Sequence, residues 1–285
     1  MLQDLLAIVG GVAVALLGYY GLWYEPGRIS LQEVDLTLPR LPPAWDGLTF
    51  LHLSDFHTHR LGRIERQVAA LAEVIPTPDV IAFTGDFANH DAAIPACVQA
   101  IAPFTARYGK YAVLGNNDYA RHLSTERLIG ALEEAGVRVL INERIALSLG
   151  EATLWLAGVD MLLPEDLLAQ RPFAVAETLR DVPPEDFKVL LAHTPDAFPE
   201  ACATKVDLML CGHTHGGQIC LPGLGALHAN VVRLSRHYAA GLFSREGTQM
   251  YISRGLGTST IPVRLWCPPE ASLLRLHPPS LGRKS

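Results

Sequence analysis

Charge is scarce in this chain, and what there is leans acidic. Charged residues make up 18% of the sequence and the formal net charge is -6, so the basic footprint of a nucleic-acid binder is missing. No nucleic-acid partner is expected, and a phosphate-bearing substrate would have to be held by local cations. That points to metals. Paired cysteines are missing too: Cys97, Cys202, Cys211, Cys220 and Cys267 are odd in number and form no C-x-x-C, which argues against a disulfide framework or a zinc knuckle. They read as reduced thiols in or near the core. Internal repeats and low-complexity tracts are also lacking, which removes solenoids and propellers. A hydrophobic share of 49% rules out a disordered chain, and 285 residues give room for one large domain after an N-terminal piece.

That piece is the one long apolar run. Leu5 to Tyr24 contains no charged residue, and about 20 residues at about 1.5 Å rise span the hydrocarbon core of a bilayer. A single-pass anchor over residues 1–24 follows. Tyr19, Tyr20, Trp23 and Tyr24 gather at its end, where amphipathic aromatics prefer the headgroup level. A cleaved signal peptide would need a basic start and a small-residue cleavage site, and neither is present. Arg28 and Arg40 follow the span while Asp4 precedes it, a bias that places the domain after it on the cytoplasmic side of an inner membrane. Pro26, Pro39, Pro42 and Pro43 give residues 25–44 a linker composition, interrupted by the alternation Val34, Leu36, Leu38 of a first edge strand. The globular domain is expected over residues 45–278, with a tail at 279–285.

Within that domain, apolar strands repeatedly end in polar residues. Leu48 to Leu53 runs into Ser54-Asp55-Phe56-His57, Val80 to Thr84 into Gly85-Asp86, and Tyr111 to Leu114 into Gly115-Asn116-Asn117-Asp118. Helical spacing follows each: Leu61, Ile64, Val68, Leu71 and Ile75; then Ile94, Val98 and Ile101; then Leu128 and Leu132 behind a Ser124 cap. Strand, polar loop and helix in alternation imply βαβ crossovers and a largely parallel central sheet. Val137 to Ile141, Ile145 to Leu149 and Thr153 to Val159 lack long helices between them, which predicts a turn to antiparallel pairing in the second half. Leu162 to Leu179 reads as helical in two pieces broken at Pro172. Val189 to Ala192 ends in His193, and Leu208 to Cys211 ends in Gly212-His213-Thr214-His215. Gln249 to Ser253 and Ser272 to Leu276 would be closing strands.

Parallel strands deliver their C-terminal ends to one edge of a sheet, so Asp55, His57, Asp86, Asn116, His193, His213 and His215 should converge. Side-chain oxygens mixed with imidazoles suit two adjacent borderline transition-metal ions, such as Mn, Fe or Zn, whereas calcium or magnesium would want oxygen alone. Asp86 stands alone on its strand and is the candidate to bridge them.

The ordered set D-F-H at Asp55 to His57, G-D at Gly85 to Asp86, G-N-N-D at Gly115 to Asp118, the lone His193 and G-H-T-H at Gly212 to His215 resembles the five motifs of the calcineurin-like metallophosphoesterases. The resemblance covers roughly Leu48 to Leu276. G-H-T-H-G-G-Q-I with Leu221-Pro222, and the late G-L-G-T-S with Ile261-Pro262-Val263-Arg264, is similar to the membrane-anchored bacterial branch of that family. Some members of that branch cleave the pyrophosphate of a diacylated UDP-glucosamine, and others are called simply phosphodiesterases. The resemblance implies an α/β fold of two packed mixed sheets flanked by helices. It also implies Asp55, His57, Asp86 and His215 on a first metal, and Asp86, Asn116, His193 and His213 on a second.

One departure matters. Where the family usually has histidine after the metal-binding asparagine, this chain has Asn117, which cannot donate a proton as an acid but can hydrogen-bond a developing oxyanion. General-acid help is typically worth about 10²-fold to 10⁴-fold, so a good leaving group such as a phosphate would be favoured. His59, His90 and His122 are the candidate substitutes for the missing acid. Asp118 is expected to orient a metal-bound histidine, and Arg60 and Arg264 to hold a substrate phosphate. The expectation is a metal-dependent phosphodiesterase or pyrophosphatase acting on a lipid-linked or nucleotide substrate near the membrane. The alternative is a metal-bearing interaction scaffold weakened by Asn117; a protein phosphatase has no support from basic or recognition inserts.

Overall fold

The computed structural model describes residues 1–162 and 164–279. Of the expected tail only Pro279 falls inside them, and Leu163 of the expected two-piece helix falls outside.

The chain lays down β1 (Ser30–Thr37), β2 (Leu48–Leu53), β3 (Val80–Thr84), β4 (Lys110–Val113) and β5 (Val137–Val139). It continues with β6 (Glu143–Leu149), β7 (Ala152–Gly158), β8 (Phe187–Leu191) and β9 (Leu208–Cys211). A small ribbon of β10 (Cys220–Leu221) and β11 (Gly225–Ala226) follows, then β12 (Gly241–Arg245), β13 (Thr248–Ile252) and β14 (Glu270–His277). Two six-stranded sheets result, ordered β1-β14-β2-β3-β4-β5 and β12-β13-β9-β8-β7-β6. They stack face to face. Phe50, Val80 and Val113 of the first pack on Leu154, Val189 and Leu208 of the second.

Helices cover the outer faces. After an N-terminal α1 (Leu2–Tyr19), α2 (Arg63–Val74), α3 (Ile94–Ile101) and α4 (Thr125–Glu134) lie on the first sheet, where Val68, Cys97 and Leu128 meet Leu51, Ile81 and Phe83. The short α5 (Pro164–Leu168), α6 (Val175–Thr178) and α7 (Phe198–Ala203) cover the second, meeting Leu190, Met209 and Met250. The central strands are therefore apolar on both faces, and this is why they read as continuous hydrophobic runs.

Two expectations need correction. The second half is not mainly antiparallel: in the second six-stranded sheet β7, β8, β9 and β13 run parallel, and within that sheet only the β6–β7 and β12–β13 hairpins reverse. The crossovers there use helices of four to six residues, too short to show helical periodicity in sequence. Nor is 25–44 a linker. Glu25 is buried, β1 pairs along its length with β14, and Leu36, Leu38, Leu41 and Trp45 are all at most 3% exposed. Pro39, Pro42 and Pro43 shape the turn between β1 and β2 rather than a free tether, and the folded body begins near Glu25.

Beyond α1 the helix continues through a π turn (Tyr20–Tyr24) and a 3-10 turn (Glu25–Gly27). The stretch Leu2–Gly27 contains an 18-residue window with a mean hydropathy of 2.1 and is long and apolar enough to cross a membrane.

Because β1 belongs to the core, Leu36→Ala should cost about 2–5 kcal/mol, read as a fall in Tm of about 2–4 °C per kcal/mol. A melting curve unchanged by that substitution would restore the linker reading.

Candidate metal centre

Five strands of the two sheets end on one rim. The loop after β2 carries Asp55 and His57, that after β3 Asp86, that after β4 Asn116 to Asp118, that after β8 His193, and that after β9 His213 and His215. These residues form two clusters. Asp55, His57 and His215 have ligand atoms within 4.8 Å of one another, and so do Asp86, His193 and His213. His57 Nε2 lies 3.0 Å from His215 Nε2, and His193 Nε2 lies 3.0 Å from His213 Nδ1 and 3.2 Å from Asn116 Oδ1. Asp86 joins the clusters, its Oδ2 being 3.2 Å from His57 Nε2 and 3.5 Å from His193 Nε2.

The loops reach this arrangement through unfavourable backbone. Asp55, His57, Asp86, His213 and His215 all have φ between 46° and 69°, in the left-handed region where a side chain costs roughly 1–2 kcal/mol. Such strain collects where function dictates position. Two glycines make the approach possible. A Cβ at Gly85 would strike the Gly115 backbone, and one at Gly212 would overlap the Ser54 hydroxyl and the Asp55 carboxylate. With Gly212 in place, His213 N donates to both Asp55 oxygens at 3.0 Å.

Chemically, the donor set suits cations. Asp55 and Asp86 are at most 2% exposed, and among the described residues no lysine or arginine pairs with either. Imidazole nitrogens facing one another at 3.0 Å present lone pairs to a common point. Burial alone would raise the Asp86 carboxyl, but the charge and hydrogen bonds of His193 and His57 hold it well below the usual range. For His193, burial is overcome by the Asp86 charge, and its pKa rises to about 10. Burial drives His213 down to about 3, with His193 adding to the effect.

The neighbours of these residues were only partly foreseen. Asp118 does not orient a histidine directly: its carboxylate accepts the backbone N–H groups of Asp86, Phe87 and Gly115, each at 2.8 Å. It pins two site loops together, while burial and the Asp86 charge push its pKa up to about 7. Asn117 donates through its backbone N to Asp86 Oδ1 at 2.8 Å and through Nδ2 to Asp86 Oδ2 at 2.7 Å. It also lines a hollow of about 350 Å³ with His57, His59 and Asn89.

Arg264 is not placed to bind substrate. It is fully buried, and its guanidinium donates to the carbonyls of Arg254, Gly255, Gly257 and Cys267, which consumes the fork in holding the loops beneath the site. Arg60 is exposed, and with His57, His59 and Thr258 it lines a hollow of about 220 Å³. His59 Nε2 accepts from Asn89 Nδ2 at 2.7 Å, the His90 ring stands 6.0 Å from the His59 ring, and His122 lies exposed on the neighbouring loop.

Sequence reasoning passed over Ser54 and Asn89. Ser54 Oγ donates to Asp55 Oδ2 at 2.6 Å and receives the Thr84 hydroxyl at 2.7 Å. Asn89 Oδ1 lies 3.1 Å from His57 Nδ1. A polar residue beside or three places after a strand-end carboxylate is the available signal. A further hollow of about 420 Å³ brings Ile219, Leu227 and Ile261 against His213 and His215.

With His193 at about 10 in the ion-free protein, that ring carries a proton at neutral pH, and a metal must displace it. Metal affinity should therefore rise with pH from 6 to 9, with proton release at pH 7. Calorimetric titration with manganese in two buffers of different ionisation enthalpy measures this directly, and identical heats in both would contradict it.

Known proteins resemble the chain along most of its length. It is 29% identical over 279 residues to the uncharacterized metallophosphoesterase YkuE of Bacillus subtilis (strain 168), covering 95% of this chain and 93% of that protein. It is 32% identical over 232 residues to the phosphodiesterase YaeI of Escherichia coli (strain K12), covering 79% and 81%. It is 28% identical over 306 residues to the UDP-2,3-diacylglucosamine pyrophosphatase LpxG of Chlamydia muridarum (strain MoPn / Nigg), covering 88% and 90%. The profile of the Calcineurin-like phosphoesterase family matches residues 48–217, which span β2 through the histidine loop after β9, and the chain belongs to that family.

Proposed function

We propose that this chain is a membrane-anchored phosphodiesterase or pyrophosphatase working with two divalent transition-metal ions, manganese, iron or zinc. The observation that carries the reading is the position of Asp86 between two buried clusters, its Oδ2 within 3.5 Å of both His57 and His193. Asp55, His57, Asp86 and His215 would hold one ion, and Asp86, Asn116, His193 and His213 the other. Such a pair, when bound, polarises phosphoryl oxygens and lowers the pKa of a water for in-line attack at phosphorus.

The remaining work falls to side chains. Asn89 beside His57 Nδ1 fixes the ring so that Nε2 faces the centre. Asp118, held by backbone amides, keeps the loops of Asp86 and Asn116 in register. Asn117 uses one N–H on Asp86 and retains a second for an oxyanion developing in the adjoining hollow. Exposed at the mouth, Arg60 is the cation for an outer phosphate.

No proton donor stands at position 117, so substrates whose leaving group departs as a stable anion are favoured. A diphosphate in a lipid-linked or nucleotide molecule meets that condition, and the pyrophosphatase activity in the name of the LpxG relative supports it. The apolar α1 would hold the domain at an inner membrane. The arginines after the span favour a cytoplasmic site.

Purified protein with manganese should hydrolyse nitrophenyl diesters and diphosphates, and Asp86→Asn should lower kcat/KM by more than about 10²-fold. Complete absence of metal-dependent turnover on diesters and diphosphates would leave only the scaffold reading. Asn117→His supplies an acid, so it should speed alkyl diesters by about 10²-fold while changing nitrophenyl diesters little. An equal gain on both would show that position 117 acts through binding and not through the leaving group.

A further inference from the structure

The helix that would span the membrane is not joined to the catalytic body by a tether. At its end, Gly21 O accepts Arg264 N at 2.9 Å, and a Cβ at Gly21 would already touch Arg264 O at 3.3 Å and Val263 at 3.4 Å. The Glu25 carboxylate receives the backbone N–H groups of Trp266 and Cys267. Gln67 Nε2 donates to Gly27 O at 2.9 Å, and Arg63 reaches Trp23 O at 3.3 Å. The helix end and residues 263–267 therefore move as one piece, and whatever depth the last helical turn takes in a bilayer fixes the depth of that loop.

The surface continuous with this junction is apolar. Trp266 is 49% exposed and Ile261 47%, beside a helix end whose Trp23 is 68% exposed. Ile219 bridges to Leu265, which carries the β10–β11 ribbon alongside, with Leu224 66% exposed at its turn and Leu227 49% exposed. Residues 217–231 and 255–266 contain no aspartate or glutamate, in a chain that has 29 of them. Nearby acids are turned inward: Glu25 is buried on Trp266 and Cys267, and Glu65 is buried on Gly62 N. Arg28, Arg60 and Arg63 are exposed around the helix end.

Tryptophan and arginine around an apolar, acid-free face are what the headgroup layer of an anionic bilayer accommodates, the aromatics at the interface and the cations on lipid phosphate. We propose that the face formed by Trp266, Ile261, Leu224 and Leu227 lies in the headgroup layer of the membrane that α1 spans. The hollow of about 420 Å³ shared by Leu227, Ile261, His213 and His215 then opens at that layer, not into bulk water. A lipid headgroup can reach the site while its chains stay in the bilayer. This rests on the anchoring part of the function proposed above and is independent of the hydrolytic part.

The test uses the full chain with Trp23→Phe, reconstituted in vesicles of phosphatidylcholine and phosphatidylglycerol, with and without acyl-brominated lipid. Comparing it with the same chain carrying Trp266→Phe isolates the emission of Trp266, since Trp45 and Trp155 are common to both. The expected result is loss of most Trp266 emission in brominated vesicles, and recovery of it with Leu224→Asp, a change at an exposed turn. Vesicle flotation separates the two layers of the argument. If the protein does not float with lipid, the anchor and this docking both fail. If it floats and Trp266 is quenched by aqueous iodide but not by bromine, the anchor stands and the docking is overturned. Protection from both quenchers would mean a second protein chain on the face and would overturn the proposal equally.

Discussion

Two carboxylates buried without a lysine or arginine partner are the constraint around which the described structure is arranged. Asp55 and Asp86 sit at the ends of adjacent parallel strands, where each would carry a large desolvation penalty as an isolated anion. Imidazoles from the opposite sheet answer it. The two sheets must stack with their strand ends aligned for His193 and His213 to reach Asp86, and for His215 to reach Asp55. The same requirement explains the left-handed backbone at five of these positions, and the glycines that let loops from different sheets pass at van der Waals distance. A centre of this kind is completed by positive charge, and the ring nitrogens set face to face leave that charge to cations rather than to side chains.

Much of this arrangement is legible in sequence because its causes are local. A strand buried on both faces has to be largely apolar, so Leu48–Leu53, Val80–Thr84 and Leu208–Cys211 declare themselves, and so do the polar residues that stop them. Parallel pairing gathers those residues at one edge of each sheet, and the stacking of the two sheets brings the two sets together. Where the cause is not local, the pattern fails. β12 is an edge strand whose sequence, Gly241 to Arg245, shows no alternation of apolar and polar residues, and the helices of the second sheet are shorter than the window in which a period can be seen. Residues 25–44 mislead for a related reason: their prolines mark a turn after a strand whose partner, β14, lies some 240 residues away.

Side-chain roles are the least legible. Nothing near Arg264 in the sequence says that its guanidinium is spent on four backbone carbonyls, because those carbonyls belong to a loop whose path is set by packing. Ser54 and Asn89 gain their importance from contacts across 30 or more residues. Asn117 shows the opposite case. Its departure from the family pattern is visible in sequence, yet its hydrogen bonds to both Asp86 oxygens reveal a second duty, holding the Asp86 carboxylate in place.

Arg264 also ties these parts together. Its backbone N–H meets Gly21 at the end of the apolar helix, while its side chain holds the carbonyls of Gly255 and Gly257, and a side chain at Gly255 or Gly257 would press on Asp55 or His57. Three residues on, the Cys267 thiol donates to the carbonyl of His215 at 3.3 Å. A single buried cation thus connects the apolar helix to the floor beneath one of the two clusters. Burying an arginine is costly unless its nitrogens find acceptors, and here backbone carbonyls receive Nε, Nη1 and Nη2. The consequence is mechanical: the helix end cannot shift relative to Asp55 and His57 without breaking that network, so the orientation of the site toward the apolar helix is a property of the fold and not of a hinge.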